Sequence, residues 1–501
     1  MTDMQISSSK TGPTVRPLLM IVALVYLLTA KGYIEVSDTL SSLQTAEAIV
    51  TRGKLDISPN EATLTAADGK CYSKYGIGLA AAFVPLVGIS HILGTVSGRP
   101  PLEIAGFLIS FLNVPLTLLM LILFGRLLVQ LGTAPAYSRL LTAGLALGTL
   151  CWRYAVYDFS EGMQTALLIS AVYGVLGGGS DRRLFLGGLG FAGLVLVKLV
   201  HVALLPFFVG YLIWSPGTTW RERAREAAFF VAPVVLALAL VAWLNTARFG
   251  SPLETGYGKE ARQFLPAQLP ETLPQLLVSM DKGLFVFCPV LVLGVAGWPS
   301  FFRRYPREAA LCGGLVLGNV LLAGAWHSWV GGWSWGPRLL VPAIPLWLLP
   351  AGFAFGGSPS GRIRASVAAL VLISATVQIP GVLVKDQEIS HIRHNMLTAS
   401  ERPAFSADWS AAWILLRHKL TSTGEVYSVA ELGLPGDRHL DLSMYRTFLG
   451  INVWTEHIPR QLHIPLLRWL PLAGFAAILM LGVGAMRASR RTSPDSTAKP
   501  G

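Results

Sequence analysis

Apolar runs long enough to cross a hydrocarbon core alternate along the chain with short polar segments; a spanning helix needs roughly 20 such residues. Clear runs cover residues 17–34, 102–125, 137–156, 161–178, 227–247, 283–301, 309–325, 339–355, 363–384 and 464–486. Two stretches fit less simply. Within 76–96 the run Gly76–Gly94 is apolar apart from Ser90 and His91, and Leu184–Trp214 carries Lys198 and His201 at its middle. The basic clusters "RERARE" (221–226), "FFRRYPRE" (301–308), "GRIR" (361–364) and "RASRR" (487–491) belong on the cytoplasmic side. They share it with the N-terminus only if one ambiguous stretch is corrected, and not both. If 76–96 crosses and 184–214 is one helix, Lys198 lies at mid-membrane, at a cost of about 2.5–3.5 kcal/mol. Arg126, Arg139, Arg182 and Arg183 then face outward. If 76–96 does not cross and 184–214 is a hairpin, those arginines turn cytoplasmic and Lys198 rises to the outer apex. The second arrangement is the one predicted.

The expected protein is therefore an all-α polytopic membrane protein with about 12 transmembrane helices and both termini cytoplasmic. Its outer loops are 35–101, 157–161, 198–201, 249–282, 326–338 and 385–463. Residues 1–16 and 487–501 read as disordered cytoplasmic ends, 17–384 as the transmembrane core, 385–463 as a small outer subdomain and 464–486 as the last span. In the subdomain "DWSAAWILLRHKL" reads as an amphipathic helix. The first run has no small-x-small cleavage site after it and is taken as a retained helix, extended by Tyr33 and Ile34, with Lys31 snorkelling to the interface.

Composition agrees. Hydrophobic residues make up 52% and charged residues 14%, against about one-quarter charged in soluble domains; the mean hydropathy is +0.54. The net charge of +12 does not point to nucleic acid, because the basic residues fall in short clusters between apolar runs. Cys71, Cys151, Cys288 and Cys312 are scattered, with no zinc or disulfide spacing.

The candidate chemistry lies in the outer loops. Asp38 opens a helical stretch that ends near Gly53, so it caps that interfacial helix, acts as a general base at the membrane surface, or does both. In "DGKCYSKYG" Lys74 stands between two tyrosines, as an interface anchor or as a partner for a lipid phosphate, with Tyr75 beside it. "RYAVYDFSEGMQ" places Asp158 and Glu161 in a short turn, where at least one carboxylate faces the interior or a cavity. "FGSPLETGYGKEARQF" offers Tyr257 and Arg262 as a weaker signal. "WHSWVGGWSWGPR" packs Trp326, Trp329, Trp333, Trp335, His327 and Arg338 into one loop. An aromatic belt explains part of this. It does not explain the Gly pair, Gly336-Pro337 or the arginine. Flat rings suit sugar faces, and Arg338 offers a fork for phosphate.

Together the Asp38 loop, "YSKYG", the acidic turn, "FGSPLETGY" and "GGWSWGPR" resemble the bacterial GT-C glycosyltransferases. These are the polyprenyl-phosphate-sugar-dependent enzymes related to protein O-mannosyltransferases and lipid A aminoarabinose transferase. The likeness covers roughly residues 15–385. It implies a GT-C fold with interfacial helices in the first outer loop. It also implies a base or acceptor-binding role for Asp38, and donor-phosphate binding by Lys74 and Tyr75 with Arg338. Either Asp158 or Glu161 is the implied second acidic residue, and Trp329, Trp333, His327 and Tyr257 are sugar or acceptor contacts. Thr39 stands where relatives often carry a second carboxylate, so the metal stays unknown: a divalent ion is possible and no cofactor is certain. The implied activity is inverting transfer of a hexose or pentose from the polyprenyl-phosphate sugar donor to a lipid, glycan or protein acceptor at the outer face of the inner membrane. A transporter or flippase of a lipid-linked saccharide is the alternative, as is a scaffold that has kept the fold.

Overall fold

A computed structural model describes residues 16–389 apart from 61, 177–179, 216–217, 333 and 387, with scattered residues beyond. Helix α1 (Arg16–Thr29) leads into α2 (Ser37–Arg52), a two-stranded antiparallel hairpin β1 (Thr63–Thr65) and β2 (Cys71–Ser73), then α3 (Ile77–Ser97) and α4 (Pro101–Ser110). The bundle continues through α5 (Asn113–Gln130), α6 (Pro135–Leu147), α7 (Leu150–Ala155), α8 (Glu161–Leu176) and α9 (Asp181–Val197). A 3-10 turn, Leu199–Leu204, leads to α10 (Leu205–Ile213) and the long α11 (Trp220–Phe249). Next come α12 (Leu269–Val278), α13 (Leu284–Phe287), α14 (Val292–Arg304), α15 (Pro306–Ala325), the 3-10 turn Arg338–Ala343, α16 (Ile344–Leu348) and α17 (Gly361–Leu383). Farther on, β3 (Val426–Ser428) and β4 (His439–Asp441) pair antiparallel.

Local chemistry sets many of these ends. Pro101, Pro135 and Pro306 open helices at positions where no amide donor is needed. α11 begins with a capping box between Thr219 and Glu222. Gly148 ends α6, and the Thr149 side chain caps α7, breaking what the sequence reads as one span. Five described stretches are long and apolar enough to cross a membrane: Ile77–Ser97, Pro101–Gln130, Trp220–Phe249, Pro306–Ala325 and Gly361–Leu383. The remaining apolar helices are shorter or interrupted. The protein is an all-α polytopic membrane protein. The count of spans is not settled by the described residues, and the segment 464–486 lies almost entirely outside them.

The 184–214 stretch is a hairpin. Phe191 of α9 and Phe208 of α10 stack edge-on with centroids 5.1 Å apart, whereas a straight helix would separate them by about 25 Å. Lys198, in extended backbone (φ −150°, ψ 103°), marks the reversal. The hairpin's other end carries Arg183, whose guanidinium lies over Tyr173, and Asp181, which pairs with Arg225 at 2.8 Å. The "FFRRYPRE" segment gathers at that end too, since Tyr211 donates a hydrogen bond to Glu308.

Two expectations fail here. α1 ends at Thr29 instead of running to Ile34. Lys31 does not snorkel: it is fully buried, and its ammonium donates to the Val382 carbonyl at 2.7 Å. Within the amphipathic segment of the outer region, Ala412, Leu415 and Leu416 are helical and buried in the main core, while Trp409 falls outside the described residues.

Candidate active site

At the Lys198 end of the bundle a cavity of about 700 Å³ opens between α2, the β2–α3 junction, α8, α9, α11, α15 and the Trp-rich loop. Asp38 sits on its wall. Of the two expected roles the cap is not the one seen: Val36 is the N-cap and no side-chain cap hydrogen bond is made there. Instead, Asp38 Oδ1 accepts a hydrogen bond from the Tyr75 hydroxyl at 2.6 Å. Its other oxygen lies 3.5 Å from the Arg338 guanidinium. Burial, then Asp38, push the Tyr75 phenol far above its ordinary value, so it stays a donor.

Tyr75 and Lys74 reach this place because α3 starts hard against the end of α9. A side chain at Gly76 would bring its Cβ within 2.3 Å of the Leu196 carbonyl oxygen, so only glycine permits the approach. Lys74 pairs with Glu260 at 3.4 Å and lies near the rings of Tyr75 and Tyr257, 5.8 and 5.9 Å from their centroids. Tyr257 meets Tyr75 and Trp326 edge to face, each at 6.2 Å.

Arg338 is held by the loop the sequence marks as anomalous. Gly331, at φ +78°, lets the loop fold back so that a Cβ there would stand 3.3 Å from the Arg338 Cβ. The guanidinium lies over Phe159 at 4.3 Å and bridges two carboxylates, Asp38 and, at 3.7 Å, Glu161. Burial works against the Arg338 charge, but Glu161 and Asp38 outweigh it and hold the group above its ordinary value.

The two acidic candidates separate. Glu161, 3% exposed, is part of the cavity wall. Asp158 is not: its Oδ2 accepts the backbone N–H groups of Glu35 and Val36 at 3.2 and 3.1 Å, and its carbonyl accepts from Thr39 Oγ1 at 2.5 Å. It therefore fixes the turn that delivers α2 and Asp38. Burial raises its carboxyl to about 7 despite those bonds.

The aromatic expectations divide as well. His327 and Tyr257 line the cavity, as does Trp326. Trp329 packs, partly buried, against the hydrophobic core, and Trp333 lies outside the described residues. Trp335 is buried at 1% exposure, stacked edge-on against Phe287.

Several lining residues are given no site role by the sequence: Gln164 and His201, bonded to each other at 2.7 Å, and Arg248, which donates to the Ser73 carbonyl. Burial and the nearby Lys198 push His201 down to about 3, so it is neutral. Lys198 also lines the cavity; sequence places it at an outer apex but gives it no task. As a place for a divalent ion the site does not fit: Arg338 stands between Asp38 and Glu161, and among the described residues no three His, Cys, Asp or Glu converge.

Against solved structures, the chain aligns with the Archaeoglobus fulgidus oligosaccharyltransferase in its apo form at TM-score 0.52 and 10% identity, over 79% of this chain and 59% of that one. It spans less than two thirds of that enzyme's length. ArnT from Cupriavidus metallidurans, bound to undecaprenyl phosphate, aligns at TM-score 0.46 and 13% identity over 94% of this chain and 76% of its own. No family model matches the sequence, and no curated protein matches it significantly. The chain has the GT-C fold.

Proposed function

We propose that this protein is a membrane glycosyltransferase that moves one monosaccharide, a hexose or a pentose, from a polyprenyl-phosphate carrier to an acceptor hydroxyl, with inversion. The observation that carries the reading is Asp38: its carboxylate is oriented by Tyr75 and faces a cavity that also holds Arg338 and Lys74. The fold, shared with an oligosaccharyltransferase, supports the same class by analogy only.

In this reading the acceptor oxygen attacks the anomeric carbon from the face opposite the phosphate, and its proton passes to Asp38. The bond from that carbon to the phosphate oxygen breaks, leaving its electron pair on the phosphate. Such a base supplies roughly 10²–10⁴-fold. Arg338 and Lys74 stabilise the growing phosphate charge in a water-poor site. The site faces the outside of the inner membrane, with both termini cytoplasmic. α2 and α3 lie along the outer leaflet, where Glu47 of α2 meets His91 of α3 at 3.0 Å and where a carrier lipid enters. Asp38→Asn is expected to abolish transfer, measured in membranes with labelled lipid-linked sugar, while still binding the carrier. Transfer retained by that variant rules out the base.

A further inference from the structure

Four cations line the cavity, and three have partners. Lys74 pairs with Glu260, Arg338 bridges Asp38 and Glu161, and Arg248 donates to the Ser73 carbonyl. Lys198 is the exception: among the described residues its ammonium makes no hydrogen bond, ion pair or ring contact. Its electrostatic neighbours are Glu161, Arg338 and Asp38, the same groups that surround the reacting centre in the reading above. A half-buried cation without an anion is unfavourable. Lys198 also sits at the break between α9 and the 3-10 turn, in extended backbone, and its side chain lines the cavity.

We propose that Lys198 is a further phosphate-binding residue, reserved for the charge that appears on the carrier phosphate as the sugar leaves. The inference rests on the glycosyl-transfer reading and deepens it. A phosphodiester donor carries one negative charge, and the monophosphate product carries up to two. In the transfer step the carbon–oxygen electron pair goes to the phosphate, and the acceptor proton goes to Asp38. The second charge therefore arises on the phosphate itself. Lys74 and Arg338 already face carboxylates, whereas Lys198 has no close partner to give up, so it responds most to the added charge.

The test compares two probes bound to purified full-length protein in detergent: polyprenyl monophosphate, and its methyl ester, a diester with a single charge. The wild type is expected to prefer the monophosphate above pH 7. Lys198→Met should weaken monophosphate binding about ten- to hundredfold, the range for a charge-assisted hydrogen bond, and should weaken the ester far less. Lys198→Arg should restore the preference. Lys74→Met should weaken both probes alike. Lys198→Gln gives a second neutral variant if the Met variant does not fold. Inorganic phosphate, tested as a competitor, should show the same dependence on residue 198 at much lower affinity. Equal loss of both lipid probes, or no loss of either, overturns the inference, as does a dependence seen with inorganic phosphate and not with the lipid. If the wild type binds neither lipid, the glycosyl-transfer reading itself fails; if it binds both and ignores residue 198, only this inference fails.

Discussion

Two groups of charges stand near the same end of the bundle, built in opposite ways. In the first, Arg153 and Asp386 pair at 2.7 Å with 0% and 6% of their side chains exposed, Lys31 is capped by the Val382 carbonyl, and Asp158 takes two backbone donors. That group ties the α1–α2 turn to the ends of α7 and α17. In the second, around the cavity, ion pairs are longer at 3.4–3.7 Å, and among the described residues Lys198 has no hydrogen-bonded or paired partner. A buried charge held close to its partner resists change; one held farther from its partners is ready to take a ligand. The difference suggests that the first cluster is scaffold and the second is chemistry.

Substitutions can break this contrast. The largest effect on transfer is expected at Asp38→Asn, a loss of at least about 10²-fold with the thermal midpoint unchanged; a variant that unfolds would put Asp38 with the scaffold. The largest effect on stability is expected at Arg153→Met, which leaves Asp386 buried and unpaired at a cost of about 3–5 kcal/mol, read as lost accumulation or a lowered melting temperature in detergent. Asp158 sharpens the division. Asp158→Ala strands two buried N–H groups, each worth about 1–3 kcal/mol, whereas Asp158→Asn keeps an acceptor oxygen and should keep both fold and transfer. An Asn variant that folds yet fails in transfer would move Asp158 into the chemistry.

The same residue makes a smaller pH prediction. Its carboxyl moves from an ordinary 3.8 to about 7 on folding, so between those values the folded protein holds a proton that the unfolded chain releases. Stability should therefore fall as pH rises from about 4 to 7, and this component should level off above that. Asp158→Asn should lack that part of the decline; identical pH–stability curves would contradict it. The smallest effect is expected at Glu260→Gln. Its bond to Lys74 involves a carboxylate 44% exposed, so the melting temperature should barely move, since such pairs contribute about 0–1 kcal/mol.

Legible along the chain are the apolar helices, the reversal at Lys198 and the loop motifs that carry Asp38, Lys74, Tyr75, Tyr257, His327 and Arg338, which meet at one cavity. The helices and the reversal are legible because a bilayer imposes a hydrophobic length and a charge asymmetry residue by residue, whereas the cavity residues stand out through short loop motifs and the family they resemble. Contacts between distant parts of the chain settle that Glu161 and not Asp158 faces the cavity, that Lys31 turns inward, and that Trp326 rather than Trp329 forms the aromatic wall. Those outcomes depend on which way a side chain points from a shared turn, and that is fixed by neighbours distant in sequence. Asp158 is claimed by amides 122 and 123 residues away, and no local pattern records such a partner.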